Sequence, residues 1–186
     1  MQASAPSITG WRHQLWLALL VAATVAFTSV FACAAPFAAF GAAAALTLSR
    51  RDALLLTVGL WLANQLMGYL VLGYPWTLNS VAWAPAIGAA AILGTLAAQW
   101  TVRRLAAASH VARALAALLV AFVVYEAAIF AVSIALLGGT HTFAPSIIGQ
   151  VFMTNVVALV GLYGLNRLGA ALGLRRPATV QVPAAV

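Results

Sequence analysis

The sequence predicts an all-α integral membrane protein, a six-transmembrane-helix bundle with cytoplasmic N- and C-termini. Three observations carry that expectation. Hydrophobic residues make up 65% of the chain and charged residues 6%, where a soluble domain carries about 25% charged residues. The apolar residues fall into long runs of near membrane-crossing length. All nine positive charges are arginines, and all lie in gaps between those runs or in a tail: Arg12, Arg50, Arg51, Arg103, Arg104, Arg113, Arg167, Arg175 and Arg176. Threading each run once through a bilayer places every arginine on one face, as positive-inside topology requires.

A crossing helix needs about 20 residues, within a range of about 17 to 25. The candidate spans are 15–32, 34–48, 53–72, 81–100, 114–137 and 147–165. The first follows Arg12 and is read as a retained helix, because bulky Phe31 before Cys33 is a poor cleavage site. The second is short, and residues 33–36 must make its outer turn. One continuous helix over 15–48 would put Arg12 and Arg50 on opposite faces, so charge favours a hairpin. The other outer connections are 73–80 and 138–146, and the inner ones are 49–52 and 101–113. Trp11, Trp16 and Trp100 near the inner face, and Tyr74, Trp76 and Trp83 near the outer one, match interfacial aromatic belts. Residues 1–14 form a cytoplasmic segment, 15–172 one bundle, and 173–186 a cytoplasmic tail expected to be disordered. The localisation that follows is a multi-pass protein of a bacterial-type inner (plasma) membrane.

Composition also excludes functions. The net charge of +7 is topogenic and can meet anionic membrane lipid, so it calls for no nucleic-acid partner. A single cysteine, Cys33, rules out an internal disulfide and a cysteine metal cluster. With no lysine in the chain, a phosphate-binding Gly-rich loop with its Lys is absent. Paired histidines and acidic clusters suited to catalysis are missing, so no enzyme activity, catalytic residue, cofactor or resident metal is expected. His141 and Cys33 are read as structural rather than ligating.

Glu126, near the centre of the fifth run, is the most informative side chain. An acid at that depth costs about 2.5–3.5 kcal/mol on insertion scales and faces a partner or a cavity. Two readings stay open: a neutral Glu bonded to Asn155 or Gln65, tying helices together, or a group acting on a ligand or a proton. Asn64 and Gln65 in the third run, with Gln150, Thr154 and Asn155 in the sixth, supply amides and a hydroxyl at related depth. Trp61, Gln65 and Tyr69 share one helical stripe, as do Phe122, Glu126 and Phe130. Together they suggest a pocket open to the outer face, with Tyr74 and Trp76 in a lid-like loop. The plainer reading makes the amides interhelical glue, worth about 0.6 kcal/mol each.

Ala18, Ala22 and Ala26 form a four-residue-spaced ridge on the first helix, and Ala86, Ala90, Gly94 and Ala98 another on the fourth. Such ridges let helices approach closely, either inside the bundle or against a partner.

A six-helix chain of this size, with both termini inside, an alanine ridge on its first helix and polar residues in the outer halves of later helices, resembles the substrate-binding S components of energy-coupling-factor (ECF) vitamin transporters. The resemblance implies a membrane-embedded binding protein for a small molecule, a vitamin or related micronutrient. It would work with a separate transmembrane coupling subunit and its ATPases. Ala18, Ala22 and Ala26 would dock that subunit. Asn64, Gln65, Asn155, Glu126, Trp61, Tyr69, Tyr74 and Trp76 would be the substrate-binding candidates. The alternative is a stand-alone proton-coupled carrier or channel for a small cation or metabolite, using Glu126.

Overall fold

Helix α1, Phe37–Thr47, is apolar on every side and small on most of them, the composition of a helix meant to be surrounded. The computed structural model describes residues 35–171, with Leu15, Ala18, Leu19 and Ala22 of the first run, each of them helical. The rest of the first run, Cys33, Ala26 and the tail 173–186 lie outside the described residues. Four longer helices follow α1: α2 (Arg50–Leu66), α3 (Leu78–Arg104), α4 (His110–Val132) and α5 (Pro145–Ala171). Single π turns, Met67–Val71 and Ser133–Leu137, extend α2 and α4 at the end of the bundle that carries residues 73–80 and 138–146, called outer below after the topology expected from sequence. A short 3-10 turn, Thr140–Phe143, precedes α5. Among the described residues there is no strand.

With their π extensions, the four long helices run 22, 27, 28 and 27 residues and are apolar enough to cross a membrane. Their outward faces carry exposed Leu62, Leu66, Leu119, Val123, Val157 and Val160. A surface apolar to this extent belongs in lipid. The chain is therefore an all-α membrane-helical protein.

The second run departs from expectation. Instead of crossing from 34 to 48, it forms 11 residues of helix, about 16 Å at about 1.5 Å per residue, which is short of a crossing. The break expected between 33 and 36 is present at its described end, where Ala35 and Pro36 are not helical. Four helices of spanning length, rather than six, are thus seen among the described residues.

α1 is the hub. It packs on all four long helices, α3 packs on α2 and α4, and α4 meets α5 only narrowly. Phe37, Ala38, Ala39, Phe40, Ala42 and Ala44 are buried, against Leu56 and Leu60 of α2, Ala91 and Ala98 of α3, Leu118 and Ala121 of α4, and Ala158 and Leu162 of α5. Lipid offers no hydrophobic drive between helices, so close approach of small residues does the holding.

Depth follows from the contacts of α1. The Ala39 N–H donates to Asn155 Oδ1 at 3.0 Å, and Asn155 is the eleventh of 27 residues in α5. That places the start of α1 about 15 Å below the outer end of α5. Phe37 meets Tyr125, with ring centroids 5.9 Å apart, and Tyr125 is the sixteenth residue of α4. The start of α1 is then about 22 Å above the inner end of α4. α1 thus occupies the inner half of the bundle and begins near mid-depth.

Element ends follow local chemistry. Ser49, Thr77 and Ser109 cap α2, α3 and α4, each accepting from the N–H three residues on, so one orphan donor is met at each start. Asp52 sits in the first turn of α2 and Arg103 and Arg104 in the last turn of α3, both favoured by the helix dipole. The inner connection is shorter than the expected 101–113, because α3 continues to Arg104 and α4 starts at His110. Gly138 ends the outer π turn of α4 at φ 73° and ψ −164°, a conformation essentially confined to glycine.

Candidate functional site

The expected pocket residues separate into three places. On α2, the stripe of Trp61, Gln65 and Tyr69 turns toward α3. Trp61 Nε1 donates to the Ala84 carbonyl at 2.8 Å, and its ring lies against Gly88, where a Cβ would come within 2.9 Å. The Tyr69 hydroxyl is 3.2 Å from Ser80 Oγ. The polar tips of both aromatic residues are therefore engaged in the α2–α3 seam. Asn64 and Gln65 are half-buried at the same end. Asn64 stands seven residues after buried Thr57 and four after buried Leu60, on the same helical face.

The outer loop folds back on its own helix. Tyr74 N–H donates to the Gly68 carbonyl at 3.0 Å, and the Tyr74 ring takes the space a Cβ on Gly68 would need. Tyr69 lies 6.0 Å from Tyr74, edge-on, and 4.6 Å from Trp76. These three aromatic residues cap the outer end of α2 and α3, with Trp76 mostly exposed. Asn79 Nδ2 donates to the Leu137 carbonyl at 3.0 Å, tying the start of α3 to the outer end of α4. Ser133, buried beside it, donates to the Gly138 carbonyl at 2.7 Å.

Glu126 is the seventeenth residue of the 28-residue α4 span, close to mid-depth. One turn below it, Phe122 meets Phe152 at 5.0 Å. One turn above, Phe130 meets Phe143 at 4.8 Å. Glu126 thus stands between two edge-to-face aromatic pairs, in the seam where α4 faces α5 and the turn before it. It is half-buried there. Among the described residues it makes no side-chain hydrogen bond and no ion pair.

Asn155 is spent on backbone. Its Oδ1 receives Ala39 N–H, and its Nδ2 donates to the Val151 carbonyl at 2.9 Å. The first N–H groups of a helix have no intrahelical acceptor, and at this depth no water supplies one. Asn155 is therefore a cap supplied in trans by α5 to α1. The four polar groups on α2, α4 and α5 are not gathered into one hydrogen-bonded layer.

Sequence reading missed a buried pair, Thr57 Oγ1 and Thr95 Oγ1, 2.8 Å apart between α2 and α3. Thr57 also donates to its own helix at Ala53, as hydroxyls in lipid commonly must. Spacing within one helix cannot announce such a pair. Of the docking ridge, Ala18 and Ala22 are exposed, with Leu15 and Leu19 beside them on the same helical face. Among the described residues no group of three or more His, Cys, Asp or Glu is placed to hold a metal ion. Comparisons with protein families, curated proteins and solved structures return no match.

Proposed function

We propose that this chain is a membrane-embedded binding protein for uptake of a small molecule, a vitamin or related micronutrient. It would be the substrate-binding partner of a separate coupling subunit and its ATPases, in the manner of an ECF S component. The observation that carries the reading is the half-depth hub. α1 fills the inner half of the bundle interior, so the outer halves of α2 to α5 enclose no described central helix. Asn64, half-buried on α2, lies five residues before Tyr69 of the aromatic group formed with Tyr74 and Trp76. Both termini would lie in the cytoplasm of a bacterial-type inner membrane. The first run would cross outward, and the chain would re-enter through Ala35 and Pro36 into α1. All nine arginines then share the inner face.

Exposure of Ala18 and Ala22 supports docking of a partner over internal packing, since a ridge of small residues left uncovered invites close helix approach. The test separates binding from delivery. Protein purified in mild detergent is expected to carry a near-stoichiometric small molecule, detected by mass spectrometry after extraction. Ala22→Phe should retain that molecule and abolish ATP-dependent uptake in cells. Loss of the bound molecule in Ala22→Phe would assign the ridge to internal packing, and the absence of any bound molecule in the unmodified protein would sink the reading.

A second reading rests on Glu126. An acid near mid-depth, with no hydrogen-bond partner among the described residues, suits a stand-alone proton-coupled carrier. In proteoliposomes holding this chain alone, such a carrier would accumulate its substrate under an imposed proton gradient. Glu126→Gln should lower that accumulation at least tenfold, because Gln keeps size and hydrogen bonding but cannot release a proton. Equal accumulation by the two proteins would remove Glu126 from the mechanism.

A further inference from the structure

A cavity among the described residues opens at the inner end, opposite to the outward-facing pocket expected from sequence. It has a volume of about 210 Å³ and lies where α1, α4 and α5 diverge, between Phe40 and Thr47 of α1, Val111 and Leu115 of α4, and Val160 and Tyr163 of α5. Its walls are almost wholly apolar. Val111, Leu115 and Val160 are also more than half exposed, so the cavity opens sideways between α4 and α5, toward lipid.

The inner rim is of a different kind. Arg167 donates through Nε and a terminal nitrogen to the Tyr163 hydroxyl, at 3.2 and 2.8 Å. Its guanidinium also lies over the Tyr163 ring, 5.2 Å from the centroid. That ring is 6.0 Å from His110. His110 opens α4, whose N-terminus brings the positive end of a helix dipole to the same rim. Of the two acids, Asp52 belongs to α2, one turn before the lining residue Leu56 and on a different wall from Arg167 of α5. Asp52 accepts from Ser49 at the start of α2, and Glu126 lies four turns deeper on α4. The α5 side of the rim is thus cationic, at the depth where the inner leaflet presents its phosphates.

We propose that this groove binds one anionic phospholipid of the inner leaflet, with an acyl chain between α4 and α5 and its phosphate on Arg167. The apolar walls and lateral opening select a lipid chain over a water-soluble ligand. Arg167 on the α5 side of the rim selects an anionic headgroup over a zwitterionic one, because a basic residue at the surface is worth about fivefold in affinity toward anionic lipid. This site is separate from the outer one discussed above and stands whether or not that reading holds.

The test uses the full chain reconstituted into vesicles of phosphatidylcholine alone or with one-third phosphatidylglycerol, then extracted and weighed by native mass spectrometry. One phosphatidylglycerol adduct is expected to persist through delipidation. Arg167→Gln should lower its occupancy about fivefold. Ala114→Phe, which places a ring into the groove, should remove the adduct while the protein stays monodisperse. A photo-reactive benzoylphenylalanine replacing Leu115 should cross-link to lipid. Equal retention of phosphatidylcholine and phosphatidylglycerol would overturn the proposal, as would an adduct unchanged in Ala114→Phe. Cross-linking of position 115 to the chain's own residues 15–32 would also overturn it, by giving the groove to the first apolar run.

Discussion

Asn155→Leu is expected to destabilise the bundle by about 1–3 kcal/mol, the cost of leaving a buried backbone donor unmet. The donor is Ala39 N–H, held 3.0 Å from Asn155 Oδ1, at the third residue of a helix that begins near mid-depth. Leu shares the branched four-atom skeleton of Asn and suits the apolar surroundings, so packing alone predicts a smaller change. The expected loss therefore isolates the missing acceptor. An ordinary interhelical hydrogen bond in a membrane averages about 0.6 kcal/mol, because the separated helices find other partners. A helix start enclosed by protein has no such alternative. Denaturation in detergent micelles should show the loss, and hydrogen exchange should show faster opening at Phe37 to Phe40 than at α3. Unchanged stability together with unchanged protection of Ala39 would mean that the cap is dispensable.

That bond also marks where sequence reading stopped. The four long helices were legible, because about 20 apolar residues flanked by arginine have few other uses. Each starts two to four residues before its expected span, since capped polar turns such as Arg50-Arg51-Asp52 after Ser49 are helical yet not apolar. The second run reads as a crossing because a hub helix and a spanning helix are both apolar all round. Composition cannot separate them, whereas length can, and 11 helical residues decide it. Asn155 reads from sequence as an amide at membrane depth, a partner for Glu126 or a ligand, and it is buried. Its partner escaped notice because it is a backbone N–H exposed by a helix start whose depth the sequence does not record. Glu126 was placed at mid-depth by counting along its run. Its neighbours Phe152 and Phe143 come from other segments, so only the fold could supply them.

Gly41→Val is expected to cost about 1–3 kcal/mol through overpacking, with the damage centred on the α1–α3 contact. A Cβ at Gly41 would lie 2.9 Å from Thr95 Oγ1 and 3.3 Å from Thr95 Cα. The hydroxyl cannot simply swing aside, because Thr57 Oγ1 holds it at 2.8 Å from α2. Either that bond breaks or α1 moves off α3, and α1 is the element on which all four long helices pack. A β-branched side chain closes off most rotameric escape. Gly59 on α2 is the matched control, since a Cβ there meets nothing within 4 Å. Gly59→Ala should leave stability unchanged or raise it by up to about 1 kcal/mol through helix propensity. Titration with a denaturing detergent, followed by circular dichroism, would compare the two. A Gly41→Val protein as stable as the unmodified chain would mean that α1 and α3 are not in close contact, and the hub arrangement would fail with it. A large loss in both variants would instead indicate that any added methyl on these helices is tolerated poorly, whatever it faces. A loss confined to Gly41→Val is the result the packing requires: the inner half of this bundle is closed by the absence of one side chain against a threonine already committed to its neighbour.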